Sequence, residues 1–133
     1  LGKKLLVRVK DLMHFGKENA VVGEGSSLRN AIIEMSSKGI SMVTIVDEEN
    51  ELQGIITDGD LRRMLEKGVD VYGEIVDNVM TRSPKWIDYR DMAVNALQKM
   101  NDWEITCLPV LSEDNKIVGS ILMQDILKAG IVR

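Results

Sequence analysis

The residues best suited to chemistry lie in one run, Gly54-Ile55-Ile56-Thr57-Asp58-Gly59-Asp60-Leu61-Arg62-Arg63. It crosses from the end of an apolar strand pattern into a helix start, where free backbone N–H groups and the helix dipole favour an anion. Thr57 puts a hydroxyl at the strand end. Asp60, one helical turn on, offers a carboxylate that can accept two hydrogen bonds from the adjacent hydroxyls of a ribose, as carboxylates do in dinucleotide sites. Thr-x-x-Asp at a helix start is equally the pattern of a capping box, in which each side chain satisfies the other residue's backbone N–H. The two roles are compatible.

The rest of the chain offers less. Cys107 is the only cysteine and His14 the only histidine, which excludes an internal disulfide and leaves no cluster for zinc or iron. Cys107 reads as a small buried hydrophobe in a strand, and His14 as an exposed loop residue that could touch an anion. Trp86 and Trp103, which could stack on a base, read instead as core or interface packing residues. Arg62, Arg63, Arg82 and Lys85 read as solvated charges that could assist a phosphate. Gly23-Glu24-Gly25 is a turn without the spacing of a phosphate loop. Lys and Arg number 17 against 21 Asp and Glu, a net charge of −4, so no basic field draws in nucleic acid. No run approaches the roughly 18 apolar residues of a membrane span, and no signal peptide opens the chain. The expected location is cytoplasmic. An independent enzyme is the least supported class, because there is no nucleophile elbow and no paired carboxylates in a recognisable setting.

The elements that must hold Thr57 and Asp60 occur twice. Residues 28–63 fall on residues 93–128 without a gap: Ala31 meets Ala96, Met35 meets Met100, Gly54 meets Gly119, Ile56 meets Ile121 and Asp60 meets Asp125. Upstream, Asp11-Leu12-Met13 matches Asn78-Val79-Met80, with a short insertion near Gly23–Gly25 in the first copy. Leu28, Ala31, Ile32 and Met35 form one helical face with Ser26 or Ser27 as N-cap, and Ala93, Ala96, Leu97 and Met100 repeat it with Asp91 as cap. Strands are predicted at Met42–Val46 and Cys107–Leu111, then at Leu52–Thr57 and 116–122, with helices at 59–67 and 124–129. The expected fold is α/β (α+β): two pseudo-twofold-related repeats, each a small sheet flanked by two helices in the order strand–helix–strand–strand–helix. Such a unit is too small to cover both faces of its sheet, so two would pack together.

This duplicated unit, with Gly-hydrophobic-x-Thr-x-x-Asp at Gly54–Asp60, resembles a pair of CBS domains, a Bateman module. The resemblance covers essentially the whole chain. It implies repeats at 9–67 and 76–133, a linker at 68–75, and a leader at 1–8 arriving from a missing N-terminal domain. The start at Leu1 likewise reads as a piece of a longer protein. In that family the Thr and Asp of one repeat bind the phosphate and ribose of an adenosine nucleotide, and the opposite repeat holds the base. Carried over, the ligand-binding residues are Thr57, Asp60, Thr81, Lys85 through its backbone, Ile105 and Thr106. The second repeat has Leu122 where the first has Thr57, so the resemblance implies a weaker second site at Asp125, Ile40, Ser41 and His14.

The leader into Asp11-Leu12-Met13, the run Thr57–Arg63, Gly68-Val69-Asp70-Val71 and the close Asp125-Ile126-Leu127-Lys128-Ala129-Gly130-Ile131-Val132 resemble the CBS pair of the D-arabinose 5-phosphate isomerase family. Members of that family often carry histidines before the second repeat's Asp, where this chain has Leu122, Met123 and Gln124. The resemblance implies a regulatory pair, not itself an enzyme, attached to an N-terminal sugar-isomerase (SIS) domain. That domain interconverts ribulose 5-phosphate and arabinose 5-phosphate for synthesis of Kdo and lipopolysaccharide. No cofactor is required; the implied regulatory ligand is AMP, ADP or ATP, or the activated product CMP-Kdo. The implied partners are the SIS domain and a second CBS pair in a homodimer, with neither nucleic acid nor membrane. Two other readings remain at this point: a ligand-free dimerisation module, and the CBS pair of a sugar-nucleotide transferase.

Overall fold

The computed structural model describes residues 6–132, so most of the expected leader at 1–8 lies outside the described residues. The chain divides into two compact units, one formed by Lys17–Pro84 and the other by residues 6–16 together with 85–132. Each is a mixed α+β unit holding one four-stranded sheet, and the described residues contain six α-helices. None of these helices is long and apolar enough to cross a membrane.

In the Lys17–Pro84 unit, β2 (Val21–Gly23) leads into α2 (Leu28–Lys38), then β3 (Met42–Val46), β4 (Leu52–Thr57) and α3 (Asp58–Glu66). The short helix α4 (Val76–Val79) precedes β5 (Thr81–Arg82), and the sheet order is β2-β3-β4-β5. The first pair is parallel and the other two are antiparallel. The start of α2 is set by Ser27, whose hydroxyl accepts the Asn30 N–H at 3.0 Å. Its end is set by Gly39 at φ 65°, a left-handed conformation that glycine adopts without strain. Leu28, Ala31 and Met35 are buried on one face, at the spacing that predicts the helix. All five residues of β3 are buried, as expected of a central strand, and Thr44 satisfies its hydroxyl on the Ala20 carbonyl. Helix α3, by contrast, buries none of its residues.

The second unit repeats the plan. Its sheet runs β6 (Ile87–Asp88), β7 (Cys107–Leu111), β8 (Ile117–Leu122), β1 (His14–Phe15), with α5 (Ala93–Trp103) and α6 (Met123–Lys128). The short helix α1 (Val9–Leu12) leads into β1. The core joins Val9, Ala96, Leu97, Met100, Leu108, Ile121 and Ile126. Two expectations are corrected. The N-cap of α5 is Met92, not Asp91; the Asp91 carboxylate instead takes the Met92 N–H and the Asn95 amide, both at 2.8 Å. Of the core or interface packing expected of the tryptophans, the core part does not hold: Trp86 is 45% and Trp103 37% exposed. Trp86 falls outside β6 for a local reason. Thr44 donates its N–H to Ala20 O at 3.1 Å, whereas Pro109, at the matching place in β7, has no N–H to give, and β6 is two residues long against three for β2.

Each sheet is closed by a two-residue strand that docks at a glycine. In β4, Gly54 stands opposite Arg82, and in β8, Gly119 stands opposite Phe15. A Cβ at Gly54 would lie 2.6 Å from Met80 Sδ and 2.8 Å from the Thr81 carbonyl oxygen. A Cβ at Gly119 would lie 2.8 Å from Met13 Sδ and 2.5 Å from the His14 carbonyl oxygen. A backbone carbonyl cannot swing aside as a side chain can. Gly54→Ala and Gly119→Ala are therefore each expected to cost about 1–3 kcal/mol in urea unfolding. Gly23→Ala, with open space and an ordinary φ, should leave the midpoint nearly unchanged.

At the end of β6, Asp88 receives Arg90 Nε at 3.0 Å and Arg90 Nη2 at 2.8 Å, while Arg90 Nη1 also reaches Glu113 at 2.9 Å. The hydrogen-bonded guanidinium holds the Asp88 carboxyl below the usual carboxylate range. A carboxyl depressed in the folded state contributes stability once it is ionised in the unfolded chain, above about pH 4. That contribution is lost as pH falls through the folded value. Asp88→Asn should therefore flatten the acid side of the stability curve below about pH 4, read from thermal melts between pH 2 and 6.

Candidate functional site

The run at the β4–α3 junction folds as a reciprocal pair. Thr57 is the N-cap of α3, in extended backbone, and its hydroxyl accepts the Asp60 N–H at 3.2 Å. Asp60 Oδ2 accepts the Thr57 N–H at 3.0 Å in return. The Asp58 N–H is taken by the Ser41 carbonyl at 3.0 Å, which leaves Gly59 as the residue of the first turn whose N–H has no protein partner among the described residues. Asp60 is only 23% exposed, and its second oxygen, Oδ1, receives Arg63 Nη2 at 2.6 Å. Gly59 makes room for this: a methyl there would stand 3.3 Å from Arg63 Nη1 and 3.4 Å from Nη2. The guanidinium thus lies across the first turn of the helix. Arg63 itself is 63% exposed, and ion pairs of that kind contribute about 0–1 kcal/mol, so the latch is weak.

Thr81 lies in the same unit, on β5 opposite Ile55 of β4, two residues before Thr57. Ile40 is buried and Ser41 half-buried, immediately before β3. The fold therefore brings Thr57, Asp60, Thr81 and Ser41 to neighbouring positions within Lys17–Pro84. Nearby Arg82 is engaged elsewhere, donating to the Asp77 carbonyl at 2.9 Å.

The matching junction of the other unit is built differently. Leu122 occupies the N-cap of α6 and makes no side-chain bond. The Thr106 carbonyl takes the Met123 N–H at 2.8 Å, just as Ser41 takes that of Asp58. Asp125 is bonded not by a neighbour in its own helix but by His14 Nε2, at 2.7 Å. His14 sits on β1 opposite Ser120, with 30% of its side chain exposed, so it is a half-buried, partnered strand residue and not an exposed loop residue. In the repeat, His14 stands where Thr81 stands in the other unit. Where one copy pairs its carboxylate with Thr57, the other has Leu122 in that place and pairs its carboxylate with an imidazole from the neighbouring strand. Ile105 is half-buried against the core, Thr106 is exposed, and Lys85 holds its ammonium 5.2 Å from the centre of the Trp103 ring.

The reciprocal bonds have a measurable worth. Thr57→Ala removes the acceptor for the Asp60 N–H and is expected to lower stability by about 1 kcal/mol, measured by urea denaturation of the ligand-free protein.

The CBS domain family model matches the chain twice, over residues 9–67 and 76–131. Arabinose 5-phosphate isomerase KdsD of Pseudomonas aeruginosa is 42% identical over 132 residues, which is 99% of this chain and 40% of that protein. KdsD of Escherichia coli K12 is 41% identical with the same coverage. The chain therefore spans about two fifths of the length of these curated relatives. Among solved structures, CBSX2 in complex with AMP matches with a TM-score of 0.76 at 23% identity, over 93% of this chain and 96% of that one. CBSX2 is a CBS-pair protein of Arabidopsis thaliana. The CBS domain pair of protein MJ0100, solved with 5′-methylthioadenosine and S-adenosyl-L-methionine, matches with a TM-score of 0.80 at 24% identity, over 92% and 94% of the two chains. With the family pattern present in both copies, and with the two four-stranded units that it implies, the chain belongs to the CBS domain family as a tandem pair.

Proposed function

We propose that the chain is the ligand-sensing CBS pair of an arabinose 5-phosphate isomerase and binds a nucleotide through Thr57 and Asp60. The observation that carries the reading is the half-buried Asp60 carboxylate, held by the Thr57 N–H at a strand-to-helix junction with the Thr57 hydroxyl beside it. Identity to KdsD over nearly the whole chain supports the parent activity, the interconversion of ribulose 5-phosphate and arabinose 5-phosphate for Kdo synthesis. The AMP-bound and S-adenosylmethionine-bound relatives support an adenosine-type ligand. CMP-Kdo is the alternative ligand, as an end product acting back on the first step. Asp60 would accept the ribose hydroxyls and the Thr57 hydroxyl would meet a phosphate oxygen. Further contacts are assigned to Thr81, Lys85, Ile105 and Thr106, and a weaker second site to Asp125, Ile40, Ser41 and His14.

On this reading the parent is a cytoplasmic enzyme with its catalytic SIS domain N-terminal to residue 1. Ligand binding would alter isomerase activity by favouring one arrangement of the pair over another. A ligand-free dimerisation module is the second reading. It draws on helix α3, which buries none of its residues and leaves Leu65 65% exposed.

Thermal unfolding against AMP, ADP, ATP, CMP and CMP-Kdo separates the two. Ligand at about a hundred times Kd adds roughly 2.7 kcal/mol, a rise of a few degrees for a chain of this size. The expected result is a rise with one compound that disappears in Asp60→Ala. A flat response from a folded dimer would favour the structural module.

A further inference from the structure

We infer that Arg63 is the residue that makes the Thr57–Asp60 site select a phosphorylated nucleoside over an uncharged one, an inference that rests on the nucleotide reading above. In the ligand-free protein the guanidinium donates to Asp60 Oδ1 at 2.6 Å, while Oδ2 is already engaged by the Thr57 N–H. Oδ1 is the oxygen less encumbered by the capping box and the one a ribose diol must share or take. An incoming ribose therefore competes with Arg63.

What the displaced guanidinium does next decides the ligand class. It starts beside Gly59, whose N–H has no protein partner among the described residues. A cation at the N-terminal end of a helix opposes the helix dipole. It stays there because Asp58 and Asp60 stand in the same turn. Once ribose hydroxyls occupy Asp60, that compensation weakens. A phosphate beside Thr57 then offers Arg63 a bidentate partner in its place. An uncharged nucleoside displaces the guanidinium and gives it nothing. The latch thus penalises both kinds of ligand and is repaid by only one.

The two copies argue the same way. The copy that keeps the Thr57 hydroxyl also has Gly59 and Arg63; at the matching places the other has Leu122, Gln124 and Lys128. There Asp125 is bonded by His14, from a different strand.

The test is calorimetric titration of AMP and of adenosine into the wild-type chain, Arg63→Ala and Arg63→Lys. The wild type should bind AMP at least about tenfold tighter than adenosine, as a charge-assisted contact implies. In Arg63→Ala, AMP should weaken about tenfold while adenosine stays level or tightens a few-fold. Arg63→Lys should fall between, since it keeps the charge and loses the fork. Equal weakening of both ligands in Arg63→Ala would make Arg63 a merely structural residue and overturn the inference alone. A wild type that binds neither compound would overturn the adenosine-nucleotide reading, and the inference with it.

Discussion

Because Gly54 lacks a side chain, the backbone at Met80 and Thr81 comes close enough to β4 for β5 to complete its sheet, and Gly119 admits Met13 and His14 to β8 in the same way. The rest of each unit depends on that approach. Without the fourth strand, β4 and β8 would be edges with unpaired backbone groups, and these are the strands that deliver the helix starts at Thr57 and Leu122. The docking strands are only two residues long, so pairing alone holds them weakly. The preceding short helices, α1 and α4, anchor them by burying Val9 and Val76.

At the junctions, local stability and chemical potential reside in the same atoms. The Thr57–Asp60 pair satisfies two of the backbone donors that any helix start leaves open, and in doing so fixes a carboxylate and a hydroxyl side by side. The other unit solves the same local problem with fewer resources. Its N-cap is an apolar Leu122, and its carboxylate is tied to an imidazole across the sheet. One duplicated plan therefore holds two different polar environments, set by two positions, Thr57 against Leu122 and Thr81 against His14.

The periodic parts of the fold were legible because burial imposes a pattern. The strands at Met42–Val46 and Cys107–Leu111 stand where apolar runs predict them, and the faces of α2 and α5 follow their spacing. Strands of two residues carry no alternation to read, so His14–Phe15 and Thr81–Arg82 were invisible as strands. Their partners are fixed by backbone approach and not by their own composition. The shift of the α5 cap from Asp91 to Met92 reflects competition, since Asp91 spends its carboxylate on Met92 and Asn95. Within the candidate site, the Thr57–Asp60 pairing was legible as a capping box. The Arg63 latch was legible in principle, as an acid and a base three apart on a helix. The His14–Asp125 bond was not, because it joins residues distant in the chain through a strand the pattern does not announce.

The discontinuity of one unit bears on how the molecule is made. Lys17–Pro84 is a single stretch and can complete its sheet while synthesis continues, whereas the other unit joins residues 6–16 to 85–132. His14 and Phe15 thus leave the ribosome before that stretch, yet their partner strand β8 ends only at Leu122. Closing so long a loop costs little more entropy than closing a shorter one. The delay matters more, because an unpaired segment stays open to wrong partners until its own arrives. Within these two units, the order of synthesis and the order of assembly therefore run opposite for residues 6–16.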